Sequence, residues 1–230
     1  MFVSFEGPEG GGKTTQIERL AAALHAEGRV VRVVREPGST WLGEKIRQAL
    51  LDVPESGSAR MSDRAEALLF AAARAQLVDE VIRPALDHGE IVLADRFSDS
   101  TRAYQIAGRG LSSVALGKVI DFATGGLQPD LTFLLDLDAA TGLARKDRRG
   151  DRMEREGIEF HRRVRAGFLD LARQQPTRIV VLEATRGPDE IAALIRAQLA
   201  DRLGVGSLKP AATTSPRPEQ EPSPKEGESA

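Results

Sequence analysis

The chain has no cysteine and no asparagine. Without cysteine there is no disulfide, no thiolate nucleophile and no cysteine metal site. Three histidines remain, His25, His88 and His161, too scattered to read as a ligand set. Without asparagine the chain carries neither the N-K-x-D motif of guanine-specific GTPases nor the catalytic-loop asparagine of protein kinases. Charge of one sign is lacking too. A net charge of −2 creates no global field toward nucleic acid or an anionic membrane, so neither is expected as a partner. No apolar run approaches membrane-span length. The sequence passes from its first residue into an apolar strand with no signal-peptide pattern, and a cytoplasmic enzyme is the expectation. At 230 residues the chain can bury a sizeable core, most simply as one large domain.

What is present begins with a phosphate-binding loop. Gly7 is followed, after four residues, by Gly12-Lys13-Thr14, the G-x-x-x-x-G-K-[ST] spacing. An apolar strand over 2–5 leads in, and an amphipathic helix over 14–27 leads out. Gly7, Pro8, Glu9, Gly10, Gly11, Gly12, Lys13, Thr14 and Thr15 form the expected nucleotide-binding loop. Its backbone N–H groups and the following helix N-terminus favour phosphate. Lys13 is expected to reach the transferred phosphate and Thr14 to offer its hydroxyl to Mg2+. A carboxylate near polyphosphate repels it, so Glu9 is expected to face a sugar hydroxyl or a magnesium-bound water.

Further strands are predicted at 30–35, 91–95, 131–137 and 178–182, most of them short, β-branched or wholly apolar. Helices are predicted at 41–51, 62–86, 112–124, 139–146, 154–173 and 188–202. The alternation predicts an α/β doubly wound fold of the P-loop NTPase type, a five-stranded, mostly parallel sheet between helices. The domain should span 1–207, with a lid near 145–156. Residues 208–230, rich in Pro, Ser and Glu, should form a disordered tail.

In this fold, chemistry belongs at the carboxyl ends of the strands. Asp95 closes an apolar strand and can hold magnesium. The next residue is Arg96, not a water-activating glutamate, which favours transfer to a bound acceptor over hydrolysis. Asp136 and Asp138 are rival acidic groups, or else a strand end and a helix cap. Arg47 turns toward a pocket or is solvated. Phe70 and Arg74, four residues apart on a helix, fit a stacking ring beside an edge-reading guanidinium, or plain core. Thr101 and Gln105 form a second such pair. The arginine-rich segment after residue 144 suits a lid that neutralises phosphate, with Arg148, Arg149 and Arg152 as candidates.

Together the blocks FEGPEGGGKTT, REPGST, RAEALLFAAARAQ, DRFSDSTRAYQIAGRG, PDLTFLLDLD, GDRMERE and RVRAGFLDLA resemble the bacterial thymidylate kinases in order and spacing. The resemblance implies ATP-dependent phosphorylation of dTMP to dTDP on the way to dTTP, with Mg2+ and in a homodimer. It implies thymine stacking on Phe70 and Arg74 near a base carbonyl, with Thr101 and Gln105 lining the base and sugar pocket. It places Arg47 and Arg96 on the acceptor phosphate, Glu9 and Tyr104 near the deoxyribose, and Glu36 and Asp95 near magnesium and the phosphates. Since the loop has no arginine, the chain is similar to the class whose catalytic arginine comes from the lid, Arg149 or Arg152. Two departures stand out: Ser39 where the family has a second glycine, and Phe97 where tyrosine is common. The rival activities are another nucleoside monophosphate or deoxynucleoside kinase, a P-loop ATPase, or a nucleotide-regulated binding module.

Overall fold

The computed structural model describes residues 1–52, 61–145, 151–206 and 208–210. Five parallel strands form one sheet in the order β2-β3-β1-β4-β5. They are β1 (Phe2–Glu6), β2 (Val31–Arg35), β3 (Ile91–Asp95), β4 (Leu131–Asp136) and β5 (Ile179–Glu183). Each predicted strand is present to within a residue or two at its ends. β1 is buried along its whole length, paired with β3 on one side and β4 on the other. Its side chains alternate between the two faces of the sheet. Val3 and Phe5 join the core beneath α1 (Lys13–Ala26) and α9 (Pro188–Leu203). Phe2 belongs to the opposite core, with Phe97, Leu77, Val78 and Ile82.

The helices largely follow the predicted pattern: α2 (Trp41–Leu51), α3 (Asp63–Leu77), α4 (Arg83–Asp87), α5 (Ser98–Thr101), α6 (Ser113–Thr124), α7 (Ala139–Ala144) and α8 (Ile158–Gln174). The predicted helix over 62–86 widens into a π turn at Val78–Ile82, where Arg83 N–H bonds Val78 O. Pro84 lacks the N–H an α-helix needs, and the wide turn accommodates its ring. The helix predicted from 154 starts at Ile158. Before it, Asp151 accepts hydrogen bonds from Met153 N and Glu154 N at 2.9 and 3.0 Å, holding the chain in a turn.

The sequence reading has no helix between β3 and residue 112. The chain there forms α5 and then a second π-helical run, Arg102–Gly108. Ser98, Asp99, Ser100 and Thr101 are all buried, so the apolar periodicity that announces a helix is missing. The run crosses α8 closely. A Cβ on Gly167 would lie 2.6 Å from Ala107 Cβ, and one on Gly108 would lie 2.7 Å from Phe160 Cε2. Tyr104, Phe160, Val164 and Phe168 fill the core beside this crossing.

Leu208, read from sequence as the first residue of the tail, is buried against the core under α9. Residues 211–230, and with them the rest of the predicted tail, lie outside the described residues. Among the described residues no helix is long and apolar enough to cross a membrane.

Candidate active site

The sheet order places β3 on one side of β1 and β4 on the other, so the loop after β1 opens at the crevice where ligands bind in such folds. A cleft of about 790 Å³ lies there. It is lined by the phosphate loop, the carboxyl ends of β2 and β3, α2, α3, the segment 100–105 and residues 151–154.

The loop's glycines are sterically required. Gly7 has φ 135°, and a Cβ on it would sit 2.4 Å from Leu135 O. Gly10 has φ 72°, and its Cβ would sit 2.5 Å from Gly142 O. Lys13 Nζ donates to Gly7 O and Pro8 O at 3.2 and 3.1 Å. Burial, helped by the nearby Arg96 charge, lowers the Lys13 ammonium to about 8. Thr14 Oγ1 donates to Asp95 Oδ2 at 3.0 Å, so a hydroxyl and a carboxylate meet at the mouth of the loop. Oxygen ligands of this kind suit Mg2+, which keeps waters and takes substrate phosphates for the rest of its octahedron.

Arg96 follows Asp95 with a left-handed backbone, φ 72°, which is uncommon outside glycine and is a strain found at functional positions. Its guanidinium donates to Gly7 O at 3.0 Å, Ser100 Oγ at 3.2 Å and Glu9 Oε1 at 2.5 Å. Tyr104 Oη donates to the same Glu9 oxygen at 3.1 Å, and Arg96 lies 5.1 Å from the centre of the tyrosine ring. Glu9 therefore faces Arg96 and Tyr104. Burial raises the Tyr104 hydroxyl's pKa, with the Glu9 charge opposing ionisation further.

On the other wall, Arg47 reaches the cleft and donates to Pro37 O at 3.0 Å. Burial and the Arg35 charge lower its pKa, as for a cation held close to other cations. Phe70 is half-buried beside Ile46, Leu50 and Ala73, with its ring on the cleft. Arg74 is fully buried. Its Nε donates to Glu36 Oε2 at 2.8 Å and its Nη2 to Phe97 O at 3.2 Å. Glu36, expected near magnesium and the phosphates, lines the cleft and gives Oε2 to Arg74, the partner a carboxylate this deeply buried requires. Arg74 Nη1 and Glu36 Oε1 are buried and have no hydrogen-bond partner among the described residues. Thr101 and Gln105 line the cleft opposite, both buried.

The remaining expectations divide. Asp138 caps α7, accepting from Ala140 N at 3.0 Å, and Asp136 holds Arg165 through two bonds of 2.7 and 2.9 Å. Both aspartates have structural partners. Arg152 donates to Leu50 O at 2.8 Å and pairs with Glu66 at 2.7 Å. Arg148 and Arg149 lie outside the described residues. Ser39 takes the left-handed conformation, φ 63°, that explains the family's glycine; its Oγ accepts from Arg35 N at 2.9 Å. Phe97 is fully buried, packed edge-on against Phe2 at 4.9 Å, so it has no need of a hydroxyl.

Four residues escaped the sequence reading. Glu6 is fully buried, accepts from Phe97 N at 2.8 Å, and lies 2.6 Å from Ser100 Oγ. Burial, with Asp99 adding to it, raises its carboxyl to about 8. Arg145 donates to Gly10 O and Ala184 O, both at 3.2 Å. Glu66 and Arg109 lie 3.0 Å apart behind Gln105, which lines the cleft. Glu66 had a readable signal: it stands four and eight residues before Phe70 and Arg74 on one helix face.

Comparison with known proteins agrees with this geometry. The thymidylate kinase family model matches residues 5–195. The chain is 53% identical over 204 residues to a thymidylate kinase of Deinococcus radiodurans, covering 88% of this chain and 97% of that protein. A thymidylate kinase of Desulforudis audaxviator is 50% identical over 212 residues, covering 90% and 95%. The crystal structure of thymidylate kinase from Ehrlichia chaffeensis superposes with a TM-score of 0.71 at 31% identity, covering 86% of this chain and 98% of that one. A loop built for phosphate, an arginine-lined cleft beside it and a family match spanning both lead to one conclusion: the chain belongs to the thymidylate kinase family.

Proposed function

We propose that the protein transfers the γ-phosphoryl group of ATP to dTMP, giving dTDP and ADP. Family membership across residues 5–195 carries this reading. ATP phosphates occupy the loop from Gly7 to Thr15, and Lys13 exchanges its two loop carbonyls for the transferred group. The dTMP phosphate lies between Arg47 and Arg96, both of which line the cleft. Thymine stacks on Phe70, with Arg74, Thr101 and Gln105 at its edge. The deoxyribose faces Glu9 and Tyr104. The attacking phosphate oxygen is already ionised near neutral pH, so no strong base is needed. Positioning and charge neutralisation supply the catalysis.

Thr14 and Asp95 would hold Mg2+, which when bound offsets charge on the β- and γ-phosphates. Glu36 acts through Arg74. Because Arg152 is engaged by Glu66 and Leu50, Arg149 is the lid arginine assigned to the phosphates. The domain is read as 1–207, with the lid at 145–156 and the tail beyond. The enzyme works in the cytoplasm, where its substrates are made, as a homodimer joined through the outer faces of α3 and α6. Leu68, Val114 and Phe122 stand exposed there.

The test is an assay with ATP, magnesium and dTMP, with products separated by chromatography. dTDP should form and should vanish with EDTA. Failure to form dTDP sinks the reading, and ADP release without acceptor moves the chain to the ATPases. Arg149→Ala should lower kcat by about 10²–10³ with little change in the KM for dTMP.

A further inference from the structure

Glu66 has no part in the chemistry above, yet its position beneath the base side of the cleft is demanding. The side chain is fully buried. Oε1 accepts from Gln105 Nε2 at 2.9 Å and from Arg109 Nε at 3.2 Å. Oε2 accepts from Arg109 Nη2 at 3.0 Å and lies 2.7 Å from Arg152 Nη2. Every neighbour is a donor. Burial pushes the Glu66 carboxyl up, but hydrogen bonds from Arg109 and Gln105 and the arginine charge outweigh it, and its pKa falls below the ordinary value. The group is a carboxylate and can only accept.

That fixes the polarity of Gln105. A carboxamide has one accepting end and one donating end of nearly the same shape, and with a two-faced neighbour it can turn over. Glu66 removes the choice: Nε2 must face it. The carbonyl oxygen Oε1, which accepts no hydrogen bond among the described residues, is the end left for a ligand in the cleft. Across the cleft Arg74 offers the opposite character. Its buried Nη1 has no partner among the described residues and can only donate.

We propose that Glu66 is the positioning residue that selects the base: by accepting the Gln105 amide N–H it presents the Gln105 carbonyl oxygen to the base edge, and so admits 4-keto pyrimidines and rejects 4-amino ones. The inference rests on the base site assigned under the proposed function. A thymine or uracil edge has a carbonyl for Arg74 and an N3–H for Gln105. Cytosine reverses both, setting an amino group against a guanidinium and a bare nitrogen against a carbonyl oxygen. A site built this way rejects the wrong edge because its own buried polar groups are left unpaired.

The experiment compares kcat/KM for dTMP and dCMP in the wild type, Glu66→Gln, Gln105→Leu and the double variant. A glutamine at 66 can donate as well as accept, which frees Gln105 to turn over. Glu66→Gln should narrow the preference for dTMP by about tenfold, one lost hydrogen-bond match. Gln105→Leu should narrow it as well, and adding Glu66→Gln to Gln105→Leu should change it no further. If Glu66→Gln slows both substrates equally, the residue is structural only and the proposal is overturned. If Gln105→Leu leaves the preference untouched, the base site itself is wrongly placed, and the inference fails with it. Should Glu66→Gln fail to fold, NMR of the wild type decides. The side-chain amide signal lost in Gln105→Leu should show one N–H protected from solvent exchange, with and without dTMP. Free exchange of both protons would overturn the proposal.

Discussion

Glu6 ends the central strand with a carboxyl group where a parallel sheet is driest, and it holds the turn that carries Arg96. Phe97 N–H and Ser100 Oγ both meet it, so the strained arginine is braced from below. The energetic cost depends on pH. The carboxyl is raised from 4.5 to about 8, chiefly by burial and then by Asp99. Between those values the folded chain keeps a proton that the unfolded chain has released. This contribution to stability is therefore full below pH 4.5 and is lost as pH rises through 8. Glu6→Gln carries no such proton. Its thermal midpoint should gain on the wild type as pH climbs through the window; a gap independent of pH would show that Glu6 folds in its charged form. The sequence displayed Glu6 only as the last letter of an apolar strand. Its partners lie 91 and 94 residues away, and no local pattern announces them.

The helical run after β3 shows best how far local reading extends. The strands were legible because buried parallel strands are continuous apolar runs. The helix N-terminus at 139 was legible because Asp138 caps it, and Thr40 caps α2 in the same way. The run 98–108 was not, because its buried face is polar. Asp99 takes two bonds from Arg178, at 2.7 and 2.9 Å, and such pairing replaces the oily stripe that marks an ordinary helix. The pair Phe70–Arg74 sits on regular α turns, where four-residue spacing defines a face, whereas Gln105 lies in the π run that starts at Arg102. The π turns lay beyond such counting. This run is held by its crossing with α8, where small residues let the backbones approach. Gly167→Ala puts a methyl 2.6 Å from Ala107 Cβ, with Ala103 Cα at 3.3 Å. It should destabilise the fold by about 1–3 kcal/mol, and it should raise the KM for dTMP because Tyr104 and Gln105 ride on the displaced segment. An unchanged urea midpoint would mean the crossing is looser than the distances state.

The sheet and its two cores account for one domain, yet α3 and α6 turn apolar side chains to solvent. Phe122 is 90% exposed, Val114 72% and Leu68 57%. A contiguous exposed apolar patch marks an association surface, and the homodimer proposed above would cover these residues. A second copy of the chain is the occupant assigned to it. Phe122→Glu should convert a dimer, seen by light scattering, into a monomer that remains folded by circular dichroism. A wild-type chain that is monomeric at micromolar concentration would remove the assignment. Nothing in the sequence separated these residues from core: in α6, Leu116 and Ile120 are buried while Val114 and Phe122 are not, and only the folded orientation tells them apart.

The scarcity of aromatic side chains has an optical consequence. Tyr104, the single tyrosine, has its hydroxyl on Glu9 and its ring under Arg96. Trp41, the single tryptophan, stands exposed at the start of α2, the helix that carries Arg47 to the cleft. All phenol absorption therefore originates beside the phosphate loop, and all indole emission from the helix across from it. Each unlabelled chain thus contains one donor, on the cleft wall, and one acceptor, at the start of the helix that brings Arg47 to that cleft.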